Sequence, residues 1–448
     1  MAGIAGIASK NETKRLTEML EMMRHRGKAG IKVWEESGTT LGIVWNEQEY
    51  GSIEKYLNMN CAGYYFGPEH FISAEPQSGS FILKRDPLGL APCYYGFDDT
   101  GKMFFASEIK GLIRYIREIK ELTPSCWYDK STIQPSFKLE LERGDFRSVE
   151  DMANRIRQKL SEVVEKSIIY PENVGSWLSG GLDSSVICAL ASKFTKRIKT
   201  FSVGLKNAPD LHYAKEMSRF IGSEHHEIVI TEGDLIKALP EVIYHLESFD
   251  SLLVRSSLTN YIVAGKASEY VGEIFSGEGG DELFAGYLYL KSIPLEKLND
   301  ELLDITNRLH NTALQRVDRC ASAHGTIAHV PFINPEFLKL AFSIPAEYKI
   351  RNNIEKWILR EAIANILPEK VLNRTKAKFW EGAGVKDLIS QYAEAKIKDS
   401  DFLKERILDD GQVLNSKEEL LYYRIFSEQF GRNINLSWMG RTKNASVV

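Results

Sequence analysis

Apolar residues recur at helical spacing over residues 155–169, where Ile156, Leu160, Val163, Val164 and Ile168 mark one face and Pro171 closes the segment. Downstream the pattern changes to short apolar runs that alternate with helical stretches. Residues 174–178, 198–205, 227–230 and 271–275 read as strands, and residues 186–194 and 213–221 as helices, the second stopped by Gly222. Thr231 with Asp234 three residues on makes a near capping box for the next helix. Alternation at this spacing predicts a right-handed, mostly parallel sheet with helices on both faces. Beyond about residue 290 the pattern is nearly all helical, and before about residue 150 it is turn-rich and strand-like, with apolar runs at 81–83 and 103–105.

A chain of 448 residues is too long for one ordinary core, so the change of pattern is read as a boundary between domains at 1–150 and 151–448. Hydrophobic content of 43% and charged content of 26% are those of a soluble globular protein. A net charge of −4 without a long basic run argues against a nucleic-acid partner. No apolar stretch is long enough for a membrane helix, and no signal peptide is evident. The five cysteines, Cys61, Cys93, Cys126, Cys188 and Cys320, are scattered and form no C-x-x-C pair, which disfavours a disulfide scaffold or zinc site and points to the cytosol.

Two glycine-flanked acidic segments carry the chemistry. SGGLDSS (residues 179–185) joins the strand at 174–178 to a helix, and SGEGGDE (residues 276–282) follows the strand at 271–275 directly. A glycine pair lets backbone N–H groups approach phosphate oxygens, and two hydroxyls beside a helix N-terminus complete an anion cradle. Loops at the carboxyl ends of parallel strands can converge on one nucleotide. Asp183 and Asp281 are then candidate Mg²⁺ carboxylates, since Mg²⁺ takes one or two carboxylates beside phosphate oxygens. The competing reading of Asp281 is a helix N-cap. His225 and His226 are neighbours on a strand and point to opposite faces, so structural roles are expected of them.

SGGLDSS has no lysine and so differs from the phosphate loop of kinases and GTPases; it resembles the pyrophosphate loop of the N-type ATP pyrophosphatases. With residues 200–204 (TFSVG), 208–211 (APDL), 276–287 (SGEGGDELFAGY), 319–332 (RCASAHGTIAHVPF), 356–360 (KWILR) and 374–379 (RTKAKF), the chain is similar in order and content to the asparagine synthetase and β-lactam synthetase family. The resemblance implies an adenine nucleotide α-hydrolase-like, doubly wound α/β domain with a helical C-terminal part. By it, Leu178, Val203, Ser276 and Gly277 hold adenine and ribose through backbone. Ser179, Gly180, Gly181, Asp183, Ser184 and Ser185 hold pyrophosphate, and Mg²⁺ lies between Asp183 and Asp281. Glu278 is implied as general base, Lys376 as the cation that neutralises charge on phosphate, and Arg255 as the substrate-carboxylate residue. A solvated surface lysine and a surface salt bridge are the plain alternatives for the last two.

Residues 22–27 (MMRHRG), 81–95 (FILKRDPLGLAPCYY) and 105–110 (FASEIK) resemble the glutaminase domain of the same enzymes, an αββα Ntn-hydrolase-like sandwich. That domain needs a cysteine at position two, whereas this chain has Ala2, lacks the N-G-E-I-Y-N run, and is short between Arg24 and Arg85. Glutamine hydrolysis is therefore expected to be lost, leaving dimerisation or cover of the synthetase site as the front domain's role. Leu252 and Leu253 stand where the family has a Thr-Thr pair, and Ile327 and His329 where it has Glu and Arg. Those changes make a pocket less polar and disfavour free aspartate as substrate. The expected activity is ATP- and Mg²⁺-dependent adenylation of a small carboxylic acid and its transfer to ammonia or another amine. The alternatives are ring closure, as in β-lactam synthetases or peptide-cyclising relatives, and a nucleotide-binding scaffold without turnover.

Overall fold

The computed structural model describes residues 1–66, 70–129, 132–135, 143–375, 379–385, 387–432 and 434–442. The front of the chain runs β1 (Gly3–Ile7), α1 (Thr13–Glu21), β2 (Gly30–Glu36), β3 (Thr39–Trp45), α2 (Tyr50–Leu57), β4 (Ala62–Phe66), β5 (His70–Gln77), β6 (Ser80–Arg85), β7 (Tyr94–Phe97), β8 (Met103–Ala106), β9 (Lys120–Glu121), β10 (Cys126–Asp129) and β11 (Thr132–Pro135). These strands form two antiparallel sheets, ordered β2-β3-β1-β8-β7-β9 and β11-β10-β6-β5-β4. The sheets meet face to face, with the Phe81 and Phe105 rings edge-on at 4.8 Å. Helix α1 lies on the other face of the first sheet, where a Cβ on Gly42 would stand 2.5 Å from Leu20. On the second sheet, Tyr56 of α2 closes over Gly63 in the same way. The result is a helix–sheet–sheet–helix stack.

The second half is built on a five-stranded parallel sheet, β14-β13-β12-β15-β16. Its elements are α3 (Val149–Ser167), β12 (Val174–Trp177), α4 (Leu182–Ala191), β13 (Lys199–Leu205), α5 (Pro209–Ile221), β14 (Glu224–Ile230), α6 (Glu232–Leu246), α7 (Ser251–Ser268), β15 (Glu273–Phe275), α8 (Gly280–Phe284), α9 (Leu295–Asn307), α10 (Ala313–Ser322) and β16 (Ile327–His329). Helix α3 starts at Val149, six residues before the predicted segment, because Ser148 caps it by accepting from the Asp151 N–H at 3.1 Å, and Met152 and Ala153 carry the buried face back into the first turns. The capping box on α6 is present, with the Asp234 carboxylate taking the Thr231 N–H at 2.8 Å. His225 bonds to Thr200 and Ser202, whereas His226 stacks on Phe201, so the pair does face opposite ways.

The region beyond residue 290 is mostly helical, as the pattern predicts, but it also supplies β16, which the pattern did not announce and which pairs in parallel with β15 to complete the sheet. Three residues are too few to show a period of two, and all three are buried, so no alternation was there to be read. Among the described residues no helix is long and apolar enough to cross a membrane.

Candidate functional site

The SGGLDSS segment leaves β12 and enters α4 with Gly181 as N-cap, which puts Asp183, Ser184 and Ser185 in the first helical turn. Leu178 continues the strand ladder by donating its N–H to the Phe201 carbonyl at 2.8 Å. The Ser179 and Ser184 hydroxyls meet at 3.0 Å, and the Gly181 N–H points to the Ser179 Oγ at 3.3 Å. Gly180 has φ of +69°, and a Cβ there would lie 2.4 Å from the Tyr213 Cβ and 2.5 Å from the Ala214 nitrogen. Left-handed backbone costs an ordinary residue about 1–2 kcal/mol before any collision is counted. Gly180→Ala is therefore expected to weaken ATP binding by about tenfold or more; calorimetric titration with ATP and Mg²⁺ measures it.

The second loop leaves β15 at Ser276, whose N–H is held by the His329 carbonyl at 2.9 Å. It turns through Gly279 at φ of +96° into α8. Gly279 occupies the N-cap, so Asp281 stands in the first turn and is not the cap. The two loops touch backbone to backbone. A Cβ on Gly277 would be 2.6 Å from the Ser184 nitrogen, and one on Gly280 would be 2.5 Å from Asp183 Oδ1. Both aspartates are largely buried and share one cation. Lys356, only 3% exposed, pairs with Asp183 and lies 2.5 Å from Asp281 Oδ1. Its backbone is itself left-handed, at φ of +56°, and its N–H is tied to the Phe284 carbonyl at 3.1 Å. A non-glycine residue held in that region carries strain that a structure retains at functional positions.

Glu278, three residues before Asp281 in the second loop, is paired by Arg316 Nη2 at 2.6 Å, while Arg316 Nη1 donates to Ser256 Oγ at 2.9 Å. The Glu278 side chain keeps 29% of its surface exposed, so one carboxylate oxygen is anchored beside an open face. Arg255, one residue before Ser256, turns the other way. It pairs with Glu418 of the C-terminal helix (Lys417–Phe430), which also accepts from the Tyr422 hydroxyl at 2.7 Å. Val203 lies buried in β13 and Ser276 is buried beside the loops. Lys376 falls outside the described residues. Its neighbour Arg374 reaches the first loop, donating to the Ser179 carbonyl at 3.0 Å and pairing with Asp210. Sequence reasoning gave no role to Lys356, Arg316 or Arg374, because their meaning depends on partners far along the chain. Leu253 and Ile327 are buried and Leu252 is half-buried, while His329 pairs with Glu273 at 2.8 Å.

Glu282 follows Asp281 and is fully enclosed, with the Tyr287 hydroxyl donating to it at 2.5 Å. Burial, reinforced by the Asp281 charge, pushes its carboxyl up to about 7. A carboxyl raised on folding stabilises the fold below its unfolded value and withdraws that stability as pH climbs through the raised one. Glu282→Gln is accordingly expected to flatten a fall in unfolding free energy on the order of 2 kcal/mol between about pH 5 and pH 8, read by urea denaturation.

Among the described residues no group of three or more His, Cys, Asp or Glu could by itself cage a metal. Mg²⁺ asks for less: one or two carboxylates beside phosphate oxygens, and the convergent Asp183 and Asp281 meet that demand. A model of the asparagine synthase family matches residues 155–303 and 295–435. Asparagine synthetase B (glutamine-hydrolysing) of Escherichia coli K12 is 33% identical over 80% of this chain and 69% of its own length. The asparagine synthetase (glutamine-hydrolysing) of Sandersonia aurantiaca is 32% identical over 83% and 75%, and that of Gallus gallus 31% over 84% and 75%.

Proposed function

Because the chain belongs to the asparagine synthase family, we propose that it is an ATP-dependent amide ligase that forms AMP and pyrophosphate. In this reading it adenylates a small carboxylic acid and passes the acyl group to ammonia or another amine without drawing on glutamine. The observation that carries the reading is the contact of the two glycine-flanked loops, with Lys356 seated between Asp183 and Asp281.

Attack of a carboxylate on the α-phosphorus brings two anions together, so the barrier falls when fixed positive charge waits where negative charge grows. Ser179, Ser184 and the N–H groups of the first turn of α4 receive the pyrophosphate, and Arg374 braces that loop from behind. Asp183 and Asp281 would hold Mg²⁺, which neutralises phosphate charge when bound. Lys356 is placed to turn from the two aspartates toward the phosphate oxygens. In the second step the amine adds to the acyl carbon and sheds a proton as AMP leaves. Glu278, anchored by Arg316 and open on its other side, takes that proton.

The glutamine-independent part rests on the front module, which we read as an Ntn-type stack emptied of its nucleophile. Ala2 is buried with its N–H on Glu49 at 2.6 Å, and burial pushes the Cys93 thiol up to about 12. Cys61 and Cys126 are also shifted upward by burial, so none of the three thiols there is poised as a thiolate. The apolar Leu252 and Leu253 on the turn before Arg255 favour an acid less polar than aspartate. The test is to supply ATP, Mg²⁺ and a panel of carboxylic acids with ammonium or glutamine, following AMP, pyrophosphate and amide. AMP with pyrophosphate, and amide from ammonium alone, is the expected result. ADP as the nucleotide product, or no pyrophosphate with any acid, overturns the ligase reading, and amide from glutamine overturns its second half.

A further inference from the structure

Three of the most deeply buried charges of the front module, Arg26, Glu108 and Lys110, are spent on the other half of the chain. Arg26, in the R-H-R-G turn, is fully buried and grips α10 through two side chains. It reaches Asp318 at 2.7 and 3.0 Å and Ser322 at 3.2 Å. Glu108, two residues past β8, binds both Arg26 at 2.7 Å and Arg319 of α10 at 2.6 Å. Lys110 joins Glu108 at 2.5 Å to Glu247 at 3.1 Å, and Glu247 in turn binds Arg319 at 3.0 Å. Three cations and three carboxylates thus close a balanced network across the junction, each no more than 1% exposed.

Asp318 and Ser322 are four residues apart and Arg316 and Arg319 three apart, so each pair shares a helix face. The faces matter because Arg316 is the residue that fixes Glu278. A helix moves as a rod, and whatever sets the height and rotation of α10 at Asp318 and Arg319 sets Arg316 one turn away. We propose that the front module serves as a positioning element for amide formation: Arg26 and Glu108 hold α10 so that Arg316 presents Glu278 to the acyl carbon. Arg26 touches no substrate; it acts through α10. The inference rests on the ligase reading for its catalytic consequence, but the mechanical link from Arg26 to residues 276–280 stands apart from it.

The test uses the full chain with Arg26→Met, which keeps the aliphatic stem and removes the guanidinium, and Arg26→Lys, which keeps the charge. With ATP, Mg²⁺, an accepted acid and ammonium, Arg26→Met is expected to lower the ratio of amide to pyrophosphate at least fivefold. The KM for ATP stays within twofold, and Arg26→Lys recovers part of the ratio. Hydrogen exchange of the segment 276–280 is expected to quicken in Arg26→Met. A lower Tm with the ratio and the loop exchange both unchanged is what a merely structural interface gives, and it overturns the proposal. If the unaltered protein releases no pyrophosphate, the ligase reading fails while the exchange measurement still decides the coupling. Should Arg26→Met not fold, Asp318→Asn is read by the same two measurements.

Discussion

Glu278→Gln is expected to slow amide formation by about 10²–10⁴-fold, the usual span for loss of a general base, while pyrophosphate release changes by no more than a few-fold. The substitution is isosteric, and the amide oxygen still accepts from Arg316 at the position Oε1 now holds, so the loop keeps its shape. What is lost is only the capacity to take a proton. Adenylation needs no proton acceptor, because a carboxylate attacks phosphorus directly. Rapid-quench turnover with labelled ATP and ammonium separates the two steps, and the variant is expected to accumulate acyl-adenylate. Equal losses in both steps would move Glu278 from base to loop support.

Lys356→Met is expected to act on the other step, lowering pyrophosphate release by about 10²–10³-fold, the range seen when one preorganised charge contact is removed. The side chain is buried between Asp183 and Asp281, and methionine fills its volume without its charge. Two buried carboxylates then face each other without their cation, a destabilising arrangement of about 3–5 kcal/mol when one partner of a buried pair is deleted. Added Mg²⁺ replaces part of that charge, so the variant's Tm is expected to rise with Mg²⁺ more than the parent's does. A variant that keeps its pyrophosphate rate, or one whose Tm ignores Mg²⁺, would remove Lys356 from the phosphate chemistry. Lys376→Met, assayed beside it, tells which lysine the reaction uses.

The parts of this site legible in sequence are those whose chemistry is local. A glycine pair, two hydroxyls and an acid at the end of a strand need no distant partner to be recognised, and both loops lie where that reasoning placed them. Arg255 illustrates the limit: nothing near it announces that Glu418, in the C-terminal helix, takes its guanidinium. Lys356 is the same case reversed, a lysine whose left-handed backbone and 173-residue reach to Asp183 appear only once the chain is folded. β16 was missed because three buried residues have no period. The Arg26–Asp318 link spans 292 residues and leaves no local trace in either segment.

The glycines where the loops lean on each other have a practical corollary. A Cβ on Gly277 would run into the Ser184 backbone nitrogen at 2.6 Å, and one on Gly280 would drive the Asp183 carboxylate, 2.5 Å away, from its place. Saturation libraries aimed at new acids should therefore leave both codons untouched and spend their diversity on the opening turn of α7, around the half-buried Leu252. Nucleotide handling and acid choice would then be separable traits, adjustable one without the other.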